Sequence, residues 1–318
     1  MEKKIKISIV IAAYNGERYI AEQVKSLLEQ TFLPDEIIIC DDSKNDLTFQ
    51  AVQAFMPNSI IRYIKNDEPL GVAGNFEKAL SLASGEYIFM CDQDDVWLPD
   101  KVRVMTAMLE ENCDVDGVFC NSTLVDENLE HLGKTLWQLR KFTCSMQKTL
   151  ASGDALKVFC RRVVCSGHNI AIKRRALEYI LPFPQLTPFY PDTWIALSTA
   201  LNSKWLMCNG CLTLYRLHTA NNSDPAGRVW QEAKKARTDS AARRNYLLAC
   251  NLLVRGKSFE PEKRKMLEEF ALHHCSRSLY DKNIVIRTAQ AVRELCGLRY
   301  KKYANGLRTF IADIIFKP

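Results

Sequence analysis

The sequence predicts an α/β protein: a mostly parallel sheet flanked by helices, followed by a helical C-terminal extension. Three observations predict it. Ile5 to Ala13 is an almost unbroken apolar run of strand length, the kind covered on both faces. Ile20, Val24, Leu27 and Leu28 then recur at helical spacing, and Glu36 to Cys40 is a second short apolar run, so strand, helix and strand make a parallel unit. From Arg228 onwards the chain reads as helix almost without interruption.

The other elements follow in order. Pro34 breaks the first helix. A helix is expected over about 46–56 and a strand from Ile60 to Ile64. The turn Asn66 to Gly71 leads to a helix from Asn75 to Ala83, with Phe76, Ala79, Leu80 and Ala83 on one face and Gly85 as its cap. Tyr87 to Cys91 has the length and aromatic content of a buried strand. Pro99 opens a helix from Asp100 to Glu111, and Gly117 to Asn121 is a strand. The pattern weakens between 122 and 165, where loops and short helices are expected; Thr213 to His218 is a late strand.

Composition bounds the function. The 318 residues are 47% hydrophobic and 25% charged, ordinary for a soluble globular protein. No apolar run reaches the roughly eighteen residues of a membrane-spanning helix, and the N-terminus shows no cleavage pattern. The 12 cysteines are scattered singly through apolar segments, as reduced core thiols in the cytoplasm would be. Cys208 and Cys211 lack a second pair at zinc spacing, so no zinc site is expected with His273, His274 and Cys275. Neither GxGxxG after the first strand nor GxxxxGK[ST] occurs, which argues against a dinucleotide-dependent dehydrogenase or a P-loop enzyme. The net charge of +6 is uneven: residues 1–225 carry 23 Lys+Arg against 28 Asp+Glu, and residues 226–318 carry 20 against 9. Two regions with different surroundings are implied, the second facing something anionic; a membrane surface is expected, not a nucleic acid.

Chemistry concentrates where the strand Tyr87–Cys91 runs into Asp92-Gln93-Asp94-Asp95-Val96-Trp97. Three carboxylates in four positions repel one another unless a cation or hydrogen-bond donors offset the charge. Ligands of open α/β sheets collect at such strand ends. A hard divalent cation, Mg²⁺ or Mn²⁺, shared with a diphosphate, is the natural partner.

Ser8 to Asn15, then Asp41-Asp42-Ser43, Gly71 with Asn75, and Asp92-Gln93-Asp94-Asp95 resemble, in that order, the nucleotide-sugar half of glycosyltransferase family 2. The Asp-Gln-Asp-Asp-Val-Trp form, with Pro191-Asp192-Thr193-Trp194 and Tyr215-Arg216-Leu217-His218-Thr219-Ala220-Asn221, looks like its bacterial rhamnosyltransferase-type members. The resemblance implies the GT-A fold over residues 1–225, with a nucleotide-sugar part (1–121) and an acceptor part (122–225), ahead of a basic helical region (226–318). It implies inverting transfer of rhamnose or a hexose from a dTDP- or UDP-sugar to a hydroxyl of a cell-surface glycan or lipid-linked precursor. That places the protein in the cytoplasm, peripheral on the inner face of the plasma membrane.

The implied roles are these. Ala13, Tyr14 and Asn15 line the nucleotide pocket at the end of the first strand. One of Asp41 and Asp42 accepts the N3–H of a uracil or thymine ring, while the other caps the turn. Asn75, expected at a helix start, meets ribose or phosphate or else caps the helix. Asp92 and Gln93 lie on the donor side, Asp94 is the principal metal ligand, and His218 completes the metal or diphosphate site. Asp95 supports the ligand or touches the sugar. Asp192 is the general base or an N-cap. Trp194 stacks on a sugar or packs in the core, and Ser166 to Asn169 forms an acceptor-side loop with Gly167 and His168 as contacts. Two rival readings stand beside this one: a metal-dependent phosphoryl- or nucleotidyl-transfer enzyme, and a non-catalytic glycan-binding subunit of the same fold. At the C-terminus, Leu307, Phe310, Ile311, Ile314 and Ile315 form one helical stripe, expected to dock on the catalytic domain or lie in a membrane interface.

Overall fold

The structure, a computed structural model, describes residues 6–186, 190–218, 233–256, 259–280 and 283–315. Ile5, Thr219, Ala220, Asn221 and Arg228, singled out in the sequence, lie outside them.

The first half alternates strands and helices: β1 (Ile7–Ala13), α1 (Ile20–Leu28), β2 (Glu36–Asp41), α2 (Leu47–Val52), β3 (Ile61–Lys65), α3 (Gly71–Leu82), β4 (Tyr87–Cys91), a two-residue β5 (Val96–Trp97) and α4 (Lys101–Glu110). The second half has β6 (Val115–Val125), β7 (His131–Thr135), the short helices α5 (Leu136–Leu139), α6 (Cys144–Ala151) and α7 (Ala155–Arg161), β8 (Ile170–Lys173), α8 (Leu177–Ile180), α9 (Pro191–Asn202) and β9 (Lys204–Arg216). Five helices follow: α10 (Ala233–Arg255), α11 (Pro261–Ser278), α12 (Ile284–Cys296), α13 (Arg299–Tyr303) and α14 (Leu307–Ile315).

The sheet runs β3-β2-β1-β4-β8-β6-β9-β5, with β7 paired to β6. β1, β2, β3 and β4 pair in parallel, as do β6 and β9; β8 runs antiparallel between β4 and β6. Parallel strands must be covered on both faces, and β1, β2 and β4 are buried almost throughout. One core layer holds Ile9, Ile37, Phe89, Val24 and Leu27. The other holds Ile38, Met90, Phe76, Phe119 and Trp205, and continues without a break into Leu248 and Leu252 of α10 and Phe270 of α11.

Several expectations are corrected. α3 begins at Gly71, not Asn75, so Asn75 lies in its second turn. Gly85 is no cap: α3 ends at Leu82, with Ala83 after it in extended backbone, and Gly85 is small because a Cβ there would come within 2.6 Å of the Ser8 backbone N. Buried β6 reaches Val125, and β9 starts at Lys204.

Candidate active site

The carboxyl ends of β1, β2 and β4 meet at one edge of the sheet. Asn15 turns the chain out of β1 with φ of 48°, a left-handed conformation that asparagine tolerates. The exposed Tyr14 beside it is latched to the acidic loop: Gln93 Nε2 donates to Tyr14 O and Gln93 Oε1 accepts from Tyr14 N, both at 2.9 Å. Gly16 makes room for that latch, since a Cβ there would stand 2.3 Å from Gln93 Oε1. Gln93 therefore aligns two loops.

Behind Tyr14, the Ala13 carbonyl accepts from Asp42 N at 2.9 Å and from Asn75 Nδ2 at 3.1 Å. Asn75 also donates to Cys40 O and accepts from Asn66, so its amide ties the ends of β1 and β2 together. Asp41 is buried and accepts from Ser43 N, Ser43 Oγ and Tyr63 OH, which makes it the turn-capping aspartate of the pair. Asp42 accepts from Asn66 Nδ2 and Leu70 N through Oδ1 alone and lines a cavity of about 280 Å³ with Ser43, Lys65 and Asn66.

The acidic loop is held from both sides. Asp94 Oδ2 lies 2.8 Å from His218 Nε2, and the His218 ring packs 4.8 Å from Tyr19. Asp95 is fully buried, so it is not a sugar contact; its Oδ1 accepts from Arg216 N at 3.0 Å. Arg216 further donates to Asp94 O, Glu127 O and Glu22. Burial, with Asp94 and Asp92 nearby, pushes the Asp95 carboxyl well above the carboxylate range, and burial pushes Asp92 up to about 6.

His168 is not an acceptor contact. It is buried beneath the acidic loop, stacked 4.4 Å from Tyr215, with Nε2 3.0 Å from Ser122 Oγ. Burial, then Lys101 and Arg140, press its pKa well down, so the imidazole is neutral. Gly167 does face the acidic loop, 3.4 Å from Asp92 Oδ1 at the place of a Cβ. Trp194 is likewise corrected: it is fully buried, with its indole N–H donating to Ile180 O at 2.7 Å, and it offers no face to a sugar.

Asp192 is the second residue of α9, behind Pro191, and so is not the N-cap. It keeps partial solvent contact while Oδ1 accepts from Thr193 N at 2.7 Å. Burial raises its pKa; Arg140 and the Thr193 bond oppose that rise, and Asp92 adds to it.

Three cations and hydroxyls here were not read from the sequence. Arg140 closes α5, donates to Ser166 Oγ at 2.6 Å, and acts electrostatically on both Asp92 and Asp192. It comes from the unpatterned stretch, where nothing marked it. Lys101 is fully buried, with Nζ donating to His168 O at 2.6 Å and Thr213 Oγ1 at 2.8 Å. Its signal was legible: a lysine opening a helix opposes the macrodipole and asks for other partners. Ser122, on the extension of β6, carried no signal.

The residues suit a divalent cation. Ligating atoms of Asp92, Asp95 and His168 lie within 4.8 Å of one another. Asp95 Oδ2 and His168 Nδ1 are buried without a hydrogen-bond partner. Asp94 and His218 present a second carboxylate–imidazole pair nearer the surface. Carboxylate and imidazole together fit Mn²⁺ or Mg²⁺.

Residues 8–181 match the family model described as glycosyl transferase family 2. The chain belongs to that family. Among relatives, it is 30% identical to an uncharacterized glycosyltransferase of Nostoc sp. over 72% of this chain and 71% of that protein. It is 44% identical over 33% of this chain to the UDP-Glc:alpha-D-GlcNAc-diphosphoundecaprenol beta-1,3-glucosyltransferase WfaP of Escherichia coli, a match taking in 41% of that protein. In three dimensions this family 2 chain superposes on S. aureus TarS 1-349 in complex with UDP, with a TM-score of 0.60 and 17% identity, over 98% of this chain and 89% of the other. The fold is GT-A.

Proposed function

We propose that the protein transfers a hexose or rhamnose, with inversion, from a pyrimidine nucleoside diphosphate to a hydroxyl of a lipid-linked cell-surface glycan precursor. The observation that carries the reading is the Asp94–His218 pair at the sheet's ligand-binding edge. Asp94 and His218 hold the divalent cation, since both keep some exposure toward a diphosphate whereas Asp95 and His168 have none. The cation supplies charge neutralisation for the departing diphosphate.

The chain's own residues do the rest. Asp42, with one oxygen unengaged, accepts the N3–H of the base, and the Gln93–Tyr14 latch sets the wall of the nucleotide pocket. Asp192 takes the proton from the acceptor hydroxyl; a raised pKa brings a carboxylate nearer to the working pH of a base. Arg140 steadies Asp92 and Asp192 against each other's charge. The donor named for WfaP supports a UDP-hexose as the first to test, and its diphosphoundecaprenol acceptor supports a lipid-linked one.

The test is product analysis with UDP-glucose and dTDP-rhamnose in the presence of Mn²⁺. Release of the nucleoside diphosphate, with an anomeric centre inverted by NMR, is expected. Release of the sugar 1-phosphate, with the nucleoside monophosphate passed to the acceptor, would point instead to nucleotidyl transfer.

A further inference from the structure

The last helices are turned inside out. Asp313 of α14 is fully buried and accepts two bonds from Arg277, at 2.6 and 3.0 Å, and one from Tyr300 OH at 2.8 Å. On α12 the buried face carries Arg287, Ala291 and Glu294, with His273 Nδ1 2.8 Å from Glu294. The expected stripe of α14 therefore does not dock on the catalytic domain: the helix is seated through Asp313 and through Phe310, 5.6 Å from Tyr300.

Apolar side chains point outward. Val285, Ile286 and Val292 on α12 and Leu307, Ile311 and Ile315 on α14 are exposed, Val285 at 73% and Ile315 at 59%. Arg287 joins them into one surface, for its Nε and Nη2 both donate to Ile314 O and so bring the start of α12 against the end of α14. In water, ions belong outside and β-branched aliphatics inside. A contiguous exposed apolar patch marks a contact surface.

Charge selects the occupant. In residues 283–315 both carboxylates, Glu294 and Asp313, are buried, while Arg293, Lys301, Lys302 and Arg308 are exposed. Residues 283–315 therefore present an apolar and positive outer surface with no exposed acid of their own, Lys302 being paired with Glu269 of α11. A second copy would bring like charges together. An anionic lipid surface satisfies both features, taking the aliphatic side chains into the acyl boundary and the cations onto headgroups. We propose that the α12–α14 face docks on an anionic lipid surface. A lipid-linked acceptor would give that docking a use but does not enter the argument.

The experiment is co-sedimentation of the full chain with vesicles of phosphatidylcholine alone and of phosphatidylcholine with phosphatidylglycerol, at low and high salt. Binding to the anionic vesicles, suppressed by salt, is expected. Lys301→Gln and Arg308→Gln should each weaken it about fivefold, and Val285→Asp with Ile311→Asp should abolish it while leaving Tm and UDP binding unchanged. Equal partition into both vesicles, no binding to either, or binding indifferent to these substitutions would overturn the proposal. So would a concentration-dependent dimer that Val285→Asp with Ile311→Asp dissolves, which would assign the face to a second copy. UDP binding without vesicles is read separately, so failure of docking and failure of the glycosyl-transfer reading remain distinct.

Discussion

His218 Nε2 and Asp94 Oδ2 stand 2.8 Å apart although 124 residues separate them in the chain. The two face each other across the place proposed for the cation. Asp94→Asn and His218→Ala should each lower Mn²⁺ affinity and diphosphate release by more than the roughly 10–100-fold typical of residues that only support a ligand. Calorimetry with Mn²⁺ alone checks the first effect and product release the second. Full activity of the wild type in excess chelator would refute the role.

Asp192→Asn keeps the acceptor for Thr193 N and removes the proposed base. Turnover should fall about 10²–10⁴-fold with donor affinity retained. Because burial raises the Asp192 pKa, the wild-type rate should decline on acidification at a pH above the usual carboxylate range, as the base becomes protonated. An acid limb that persists unchanged in Asp192→Asn would assign it to another group.

Removing one member of a buried ion pair leaves the other charged and unpaired. Asp313→Asn should therefore destabilise the protein by about 3–5 kcal/mol, read as a shift in urea midpoint, because Arg277 keeps its charge inside the bundle. A shift below that of an ordinary surface substitution would mean that Arg277 finds solvent.

Acid should loosen the same helices. Burial lowers the pKa of His273 and of its buried neighbour His274, so both stay neutral when folded and take up protons on unfolding. Burial would raise Glu294, but the bond from neutral His273 and the charge of Arg299 hold it below its usual range. Arg277 and Asp313 also face His273 and do not change the sign. All three groups make the unfolded chain bind more protons, so stability is lost through the two histidines as pH falls below about 6.5 and through Glu294 only below about 4.3. Tm between pH 7.5 and 5.5, compared with that of His274→Gln, checks this; a variant with the wild-type slope would remove His274 from the account.

The alternation of β1, α1, β2 and β4 was legible because parallel strands need long apolar runs and helices need spaced ones. The acidic loop and His218 were legible as residue types with few other uses. Helix limits were not: Gly71-Val72-Ala73-Gly74 has little helical preference, so α3's start, and with it the setting of Asn75, depends on packing. Trp194 and His168 were misread because an aromatic ring or an imidazole suits a core as well as a pocket, and only the neighbours, Ile180 and Tyr215, decide. The reversed polarity of α12 was hidden for a related reason. Periodicity finds a stripe, and it does not say which stripe faces in.

Arg216, on its strand two residues before His218, reaches three separated stretches of chain: Glu22 on α1, the acidic loop at Asp94 and Asp95, and the turn at Glu127. The two halves of the proposed cation pair are thus fastened to one rigid post instead of meeting by chance across a gap. An ion bound as proposed would find its ligands already ordered and would have mainly its own hydration shell to lose. Its grip should accordingly depend on water release far more than on any folding of the loop around it.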